Sequence, residues 1–459
     1  MRLRRADLRR RVNRSFHRLR FSSRTLTSHA GLELVGRHWR GLRLLERIRE
    51  RVQESWPGTD YEPARILLLL LGLVIVGGRR IRQLRYLEND PLVRDLTGLR
   101  RVPTDRTVSR WLSQLNRHQV SDLQRLNEEL VAESLEALGL PRLTLDIDGT
   151  VVSTGLQVQW AQRGFNPHHR KVPSYYPITA YEAHSGLLMR VKNRPGNVHD
   201  GKASLSFLRE LHAQLRTTLE RHPLVEYRMD AAFFRQDVVE ELEHQGAEYA
   251  IKVPFHPWLH LKDHVVGNRR WSRVDRTVSC FEASVPVATW DRTLRVVIYR
   301  KRVRHPTRKN FQLDLFDPAD GHYEYSAITT NKRLNGRNLW FFLCGRGSHE
   351  QALGELRNGF AFDCVPSSRY AANSTWQILS VLAFNLTRRF QMDTLLRPRR
   401  RNRKRSCLFA YETIQTLRFT FLGRAALLVK PNGVPTLDLG NNSAVEERFR
   451  NVEKALLAA

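Results

Sequence analysis

Residues 143–155 read LTLDIDGTVVSTG, an apolar run that carries Asp146 and Asp148 and stops at Gly149-Thr150. Such a run predicts a buried β-strand, bounded by a turn-forming glycine. A strand with this ending suits two chemistries. In one, an aspartate attacks the phosphorus of a phosphate ester. In the other, it is the first metal-binding carboxylate of a DNA-cutting enzyme. The two require different acidic partners further along the chain, so the remaining sequence discriminates between them.

The stretch LDIDGTVV (145–152) resembles the hhhDxDxT motif of the haloacid-dehalogenase superfamily. There the first aspartate, here Asp146, is the nucleophile and the second, Asp148, the acid and base. That chemistry also needs a late acidic motif to hold Mg²⁺. The strand before Asp230 ends RMDAAFF (228–234), with no second acid at the required step. A phosphatase of small esters also has no use for the chain's charge.

That charge is large: 76 Lys plus Arg against 46 Asp plus Glu gives +30, with a pI near 10.9. Arginine predominates, and its planar fork suits phosphate. A surplus of this size implies a polyanionic partner, nucleic acid first and an anionic membrane surface second. Four scattered cysteines, none in a CxxC pair, suggest neither a disulfide framework nor a zinc finger and fit a reducing cytoplasm. ILLLLLGLVIVGG (66–78) is too short to span a bilayer and reads as a buried core helix. The 459 residues and 41% apolar content allow two to four domains.

Residues 1–137 read as a helical, basic region that opens with an arginine arm at 1–20. Within it, 91–115 has the pattern of a helix-turn-helix. A short helix at Leu92–Leu96 is followed by Gly98 and Pro103, then a second helix capped by Thr104 or Asp105. Val108, Trp111, Leu112 and Leu115 form its apolar stripe, which puts Arg106, Ser109, Arg110 and Ser113 on the other side. That face would reach base edges and phosphates if the pair reads DNA; such helix pairs also occur as plain packing units. Residues 138–254 change to three strands, helix, strand, helix, strand. Residues 255–322 read as a β-rich insertion, 323–391 as the resumed core with two helices, and 392–459 as a basic tail that opens with RPRRRNRKR (397–405). The polar loop NPHHRK (166–171) belongs near DNA at most. The histidines of HPWLHLKDH (256–264) fall at a spacing of four, but Pro257 and the lack of a nearby cysteine favour packing over metal binding. Trp340 reads as core.

A metal-dependent nuclease needs three carboxylates from distant segments, converging on two Mg²⁺ ions roughly 3.5–4 Å apart. Asp148 ends the first strand and Asp230 the fourth, LVEYRMD (224–230), whose Val225, Tyr227 and Met229 alternate with polar residues. In a ribonuclease-H-like mixed sheet flanked by helices, these two strands are neighbours. Glu350 in GRGSHEQALGELR supplies the third acid from a helix. Ser348 with Gln351 predicts a capping box that sets Glu350 in the first turn. Arg357, seven residues on, lies roughly 20° round the same face, where it can hold a phosphate.

These parts together resemble the DDE transposases of the insertion-sequence 4 class, most closely the insertion sequence 1380 family. The resemblance rests on DIDGT, RPGNVHD before the first core helix, RMDAAFF, TTN after the insertion and RGSHEQALGELRNGF, and it covers most of the chain. The class signature Y-x2-R-x3-E-x6-K is met here by Leu343, Arg346, Glu350 and Arg357: the arginine and glutamate match, while tyrosine and lysine are replaced. The resemblance implies an α+β ribonuclease-H-like core interrupted by a β-rich insertion, with an N-terminal helical DNA-binding region. It implies Asp148, Asp230 and Glu350 as catalytic, metal-holding residues for Mg²⁺, with Mn²⁺ as a substitute, and Arg346 and Arg357 on phosphates. Asp146 and Asp148 share a strand face; Asp148 is preferred because D-G-T is the commoner form in such relatives. Glu355 is the weaker alternative to Glu350. The implied reaction is cleavage at transposon terminal inverted repeats, followed by strand transfer of the freed 3′-hydroxyl into target DNA. The implied partners are double-stranded DNA and a second copy in a synaptic homodimer, without a membrane, in the nucleoid of a bacterial cytoplasm. A catalytically inactive DNA-binding derivative is the alternative.

Overall fold

The chain is described here from a computed structural model, over residues 25–52, 56–164, 171–198, 200–304, 323–395 and 407–458. The arginine arm, residues 166–170 of the polar loop and the 397–405 run lie outside those residues.

The apolar run becomes helix α1 (Pro63–Ile75), with proline in its first turn, where no amide partner is lost, and Ile66 to Ile75 all buried. No helix among the described residues is long and apolar enough to cross a membrane. Helix α2 (Pro91–Thr97) starts where Asp90 Oδ1 accepts from the Leu92 and Val93 amides, and it stops at Gly98 with φ +64°. Helix α3 (Asp105–Gln114) starts where Thr104 Oγ1 accepts from the Thr107 amide at 3.2 Å. Its Val108, Trp111 and Leu112, with Leu115 just beyond, are buried, while Arg106 and Arg110 are exposed. The two helices rest on different supports. Helix α2 packs on α1 and on the helix Leu32–Gly41, whereas α3 packs on the 3-10 turn Ile81–Tyr86 and on the long helix Tyr370–Thr394. The pair therefore has the expected caps and exposed face without being a self-contained packing unit.

Helix α4 (Arg117–Leu138), capped by Asn116 and Gln119, leads into the sheet. Nine strands form it: β1 (Arg142–Gly149), β2 (Ile178–Glu182), β3 (Leu187–Lys192), β4 (Leu224–Met229), β5 (Glu248–Val253), β6 (Ser272–Arg273), β7 (Val278–Val287), β8 (Arg292–Arg302) and β9 (Tyr323–Thr330). Their spatial order is β3-β2-β1-β4-β5-β9-β8-β7-β6. Strand β1 runs parallel to β4, with Asp146 opposite Arg228, and β4 runs parallel to β5; every other pairing is antiparallel. Helices α5 (Asp200–Thr218) and α6 (Gln236–His244) supply the two parallel crossovers. The predicted run of strands and helices over 142–253 is present in that order.

Two expectations change. The segment at 255–322 was expected as a separate insertion, yet its described strands β6 to β8 continue the same sheet beyond β9. Strand β4 was expected to bury one face, yet Val225 through Met229 are all buried. Its polar residues go inside because each has a charged partner: Glu226 meets Lys332, and Arg228 meets Asp146.

Helices α7 (Gly336–Cys344), α8 (Gly347–Gly359) and α9 (Tyr370–Thr394) follow the sheet. One hydrophobic core joins α1 to α4 with α8, α9 and Val452 near the end of the chain; a second lies between the sheet and α5 and α6. The strand Ala426–Val429 pairs with Leu26–Thr27, and the helix Ser443–Ala458 packs on α9. Residues 407–458 thus pack on the helical body, although the sequence reads as a basic tail from 392.

Candidate active site

Strands β1 and β4 lie side by side and end in the two aspartates. Asp148 is the next-to-last residue of β1, and Asp230 follows β4, where its carboxylate accepts from the Ala232 amide at 2.9 Å. Burial raises the Asp148 carboxyl to about 7. Arg346 works against that shift, and the negative charges of Asp230 and Asp200 add to it. Asp148 and Asp230 are therefore close enough to repel, which is the condition in which a hard divalent cation is bound most favourably.

Asp146 has a different environment. It is fully buried, and Arg228 grips both its oxygens, at 2.6 and 2.7 Å. Arg228 also donates to the Phe342 carbonyl at 2.9 Å, which fastens α7 to the sheet. A carboxylate enclosed by a bidentate guanidinium has no lone pair aimed at a substrate, so Asp146 is unsuited to attack phosphorus.

Arg346 precedes α8 and is buried. Its Nη2 donates to Asp148 Oδ2 at 3.0 Å and to the Ile147 carbonyl at 3.4 Å. The expected phosphate ligand thus holds the end of β1. Beside it, Thr179 donates its hydroxyl to the Asp148 carbonyl at 3.1 Å, so His349 Nε2, 3.0 Å from Thr179 Oγ1, must be the donor to Thr179. His349 is enclosed and stacks flat on Tyr181, 5.2 Å between centroids. Burial, and the Arg346 and Arg228 charges, lower its pKa well below the usual value, so the ring is neutral.

Glu350 is exposed in the first turn of α8, as expected. The capping box that was to place it there does not form: the helix starts from Arg346, and Ser348 Oγ donates to the Gly345 carbonyl. Among the described residues, no group of three His, Cys, Asp or Glu side chains is disposed to hold a metal. Asp148 and Asp230 are brought together and Glu350 stands apart. Arg357 is exposed one turn from the end of α8, and Arg106 and Arg110 lie on α3 in the helical body. Glu355 is engaged elsewhere, accepting from the Ile414 amide at 2.7 Å. Leu343, at the signature's tyrosine position, fills the core under α7, and Trp340 packs 4.9 Å from Tyr299. The three histidines at 256–264 do not share one helix face, because a 3-10 turn gives way to a new helix at His260.

The sequence reading missed Asp200 as a site residue. It accepts from Arg194 Nη2 and from the Tyr176 hydroxyl, each at 2.6 Å, and raises the pKa of Asp148. Gly149 makes room for it: a Cβ there would stand 2.6 Å from Asp200 Oδ1 and 2.7 Å from the Tyr176 ring. The RPGNVHD motif was the available signal, since its arginine and aspartate are the pair observed.

Residues 10–459 match the family described as Transposase DDE domain group 1. No curated protein matches the chain. Among solved structures, the piggyBac transposase synaptic complex with hairpin DNA is similar at 10% identity, over 85% of this chain and 77% of that one, with a TM-score of 0.44. The Mos1 mariner paired-end complex with Mn is similar at 12% identity, over 43% of this chain and 60% of that one, with a TM-score of 0.18. A Mos1 paired-end complex with the left transposon end gives 12%, 53% and 71%, with a TM-score of 0.19.

Proposed function

The chain belongs to the family Transposase DDE domain group 1, and from that premise we propose that it is a DNA transposase of the insertion-sequence 4 class with a ribonuclease-H-like core. The observation that carries the reading is the pair Asp148 and Asp230 at the ends of adjacent parallel strands, mutually repelling and partly compensated by one buried arginine. Hard oxygen donors with uncompensated charge fit Mg²⁺ or Mn²⁺. Asp148 and Asp230 would hold the metal, and Glu350, which stands apart from them in this structure, would have to close on the pair to complete the set. A metal held there would supply activation of the attacking oxygen and stabilisation of the leaving oxygen in an in-line phosphoryl displacement.

The chain's own residues do the remaining work. Arg346 and the His349–Thr179 link fix the end of β1, so that Asp148 is held before DNA arrives. Arg357, Arg106 and Arg110, all exposed cations, neutralise phosphates of the transposon end and the target. The reaction is cleavage at the terminal inverted repeats, then attack of the 3′-hydroxyl on target DNA, by a homodimer that pairs the two ends in a bacterial cell.

The test is incubation of wild type and Asp230→Asn with labelled DNA carrying the gene's own flanks and Mg²⁺. Metal-dependent nicks at the boundaries, absent from the variant, support the reading. Tight, salt-sensitive binding without cleavage favours the inactive DNA-binding derivative. Equal cleavage by both proteins removes Asp230 from the catalytic set.

A further inference from the structure

The edge of the sheet that carries Asp148 and Asp230 is not level across its strands. Lys252 of β5 stands level with Asp230, because Ile251 before it is opposite Met229. Lys252 is opposite Ile328 of β9, and Ile328 is opposite Val297 of β8. From that level β8 and β9 run five residues further, to the pair Arg302 and Tyr323, and β7 joins them from Val278, opposite Lys301. At about 3.3 Å per residue, these strands form a wall that stands roughly 17 Å proud of the carboxylates.

The rim of the wall is cationic. Arg273 at the end of β6, Arg276 in the turn that follows, Lys301 and Arg302 at the end of β8, and Arg304 just beyond are all exposed. None of the five is in an ion pair among the described residues. The acids beside them are fewer: Asp275 Oδ1 accepts from the Thr277 and Val278 amides, and Glu324 stands opposite Lys301. The other end of β8 is built differently. There both oxygens of Glu243 hold Arg292, and both oxygens of Glu282 hold Arg295. Self-repulsion left standing at one end alone is a cost that a polyanion would offset. The rim also connects to the candidate site. Lys252 and Lys301 both draw down the Cys344 thiol, which burial raises, and Cys344 lies two residues before the Arg346 that holds Asp148. A membrane surface would take exposed apolar groups among the cations. Here the half-buried rings of Trp271 and Tyr323 are engaged by Arg300, 4.3 and 4.9 Å from their centroids.

We propose that this wall is a contact surface for double-stranded DNA, separate from α3, which grips the duplex about six base pairs from the phosphate at Asp148 and Asp230. The position of the cut rests on the proposed function; the wall adds the path of the duplex, from the carboxylates toward β8 and β7. Three strand spacings and five residues put Arg302 roughly 22 Å from Asp230, and base pairs rise by about 3.4 Å.

The experiment measures binding by the full chain in EDTA. The probes are labelled duplexes across the boundary of the gene's flanks, with arms of about three or about twelve base pairs, either side of the expected six. The variant Arg276→Ala/Lys301→Ala/Arg302→Ala changes exposed side chains, so its melting temperature should match wild type. On long duplexes its slope of log K against log salt should fall by about 2.7, at about 0.9 per contact. Should the triple variant melt low, Arg302→Ala alone reads the same effect, at about 0.9. Wild type should bind a long duplex more tightly than one with a short arm, and the triple variant should no longer tell them apart. An unchanged slope overturns the surface. An equal change on duplexes short in both arms overturns its placement. Lost binding to phosphatidylglycerol vesicles, with DNA binding intact, assigns the rim to lipid instead. Mg²⁺-dependent cleavage of the flanks by wild type is read separately. A chain that neither cleaves nor prefers the boundary loses the transposase reading, while the slope still reports whether the wall meets DNA.

Discussion

Asp146 and Arg228 are buried side by side beneath the candidate site, and each satisfies the other's charge. Asp146→Asn should cost about 3–5 kcal/mol in urea unfolding, because Arg228 is left buried and uncompensated. The paired replacement Asp146→Leu with Arg228→Met should recover most of that loss. A single variant within 1 kcal/mol of wild type would show that water reaches the pair. A second contact, near the turn after β2, makes stability depend on pH. Burial alone would raise Glu182, but hydrogen bonds from His184 and Ser185 outweigh it and hold its pKa below 4.5. Burial alone would lower His184, yet Glu182 raises it above 6.5. The Glu182 contribution is full above pH 4.5 and is lost as pH falls through its lowered pKa. The His184 contribution is full below 6.5 and is lost as pH rises through its raised pKa. Melting temperature should therefore decline above pH 6.5 in wild type, and His184→Gln should flatten that limb.

At the scale of elements, α3 carries the clearest DNA prediction. Arg106 and Arg110 are exposed one turn apart on its free face. If both neutralise phosphates, the double alanine variant reduces the slope of log K against log salt by about 2, at about 0.9 per contact, and weakens binding to every sequence alike. An unchanged slope would remove α3 from the interface. Thr104→Ala should cost about 1 kcal/mol by removing the cap of the same helix. The elements themselves were legible because their signals are local. Asp90 and Thr104 are caps, Gly98 and Gly246 are left-handed stops, and the 142–253 run alternates strand and helix. What joins them was not legible. Arg228 looks like the solvent face of a half-buried strand, and only its position opposite Asp146 explains its burial. Asp200 likewise looks like a helix start until Arg194 and Tyr176 close on it. The Ser348–Gln351 box was legible and did not form, since Arg346 is drawn back to Asp148 and starts the helix earlier.

At the scale of the molecule, charge and core make opposite demands. A net +30 repels itself, and the chain must hold that charge together with apolar contacts between segments far apart in sequence. Helix α9 supplies them: Ala372 through Phe390 are almost entirely buried, against α1, α3, α4 and β3 on its several sides. The helix Ser443–Ala458 closes another side. Composition suggested a cut near residue 137, with a basic helical region ahead of a catalytic one, but a hydrophobic core crosses that position. A chain beginning at 138 would expose the faces of α9 and β3 that α1 and α4 cover. Such a fragment should fail to unfold cooperatively and should bind hydrophobic dyes at neutral pH, whereas the whole chain should melt in one transition shared by far-UV and near-UV circular dichroism. A cooperative, soluble 138–459 fragment would mean that the helical region is an appended domain after all. The distinction bears on the proposed function, because DNA bound at α3 would be coupled to the carboxylates only if α3 and the sheet move as one body through α9.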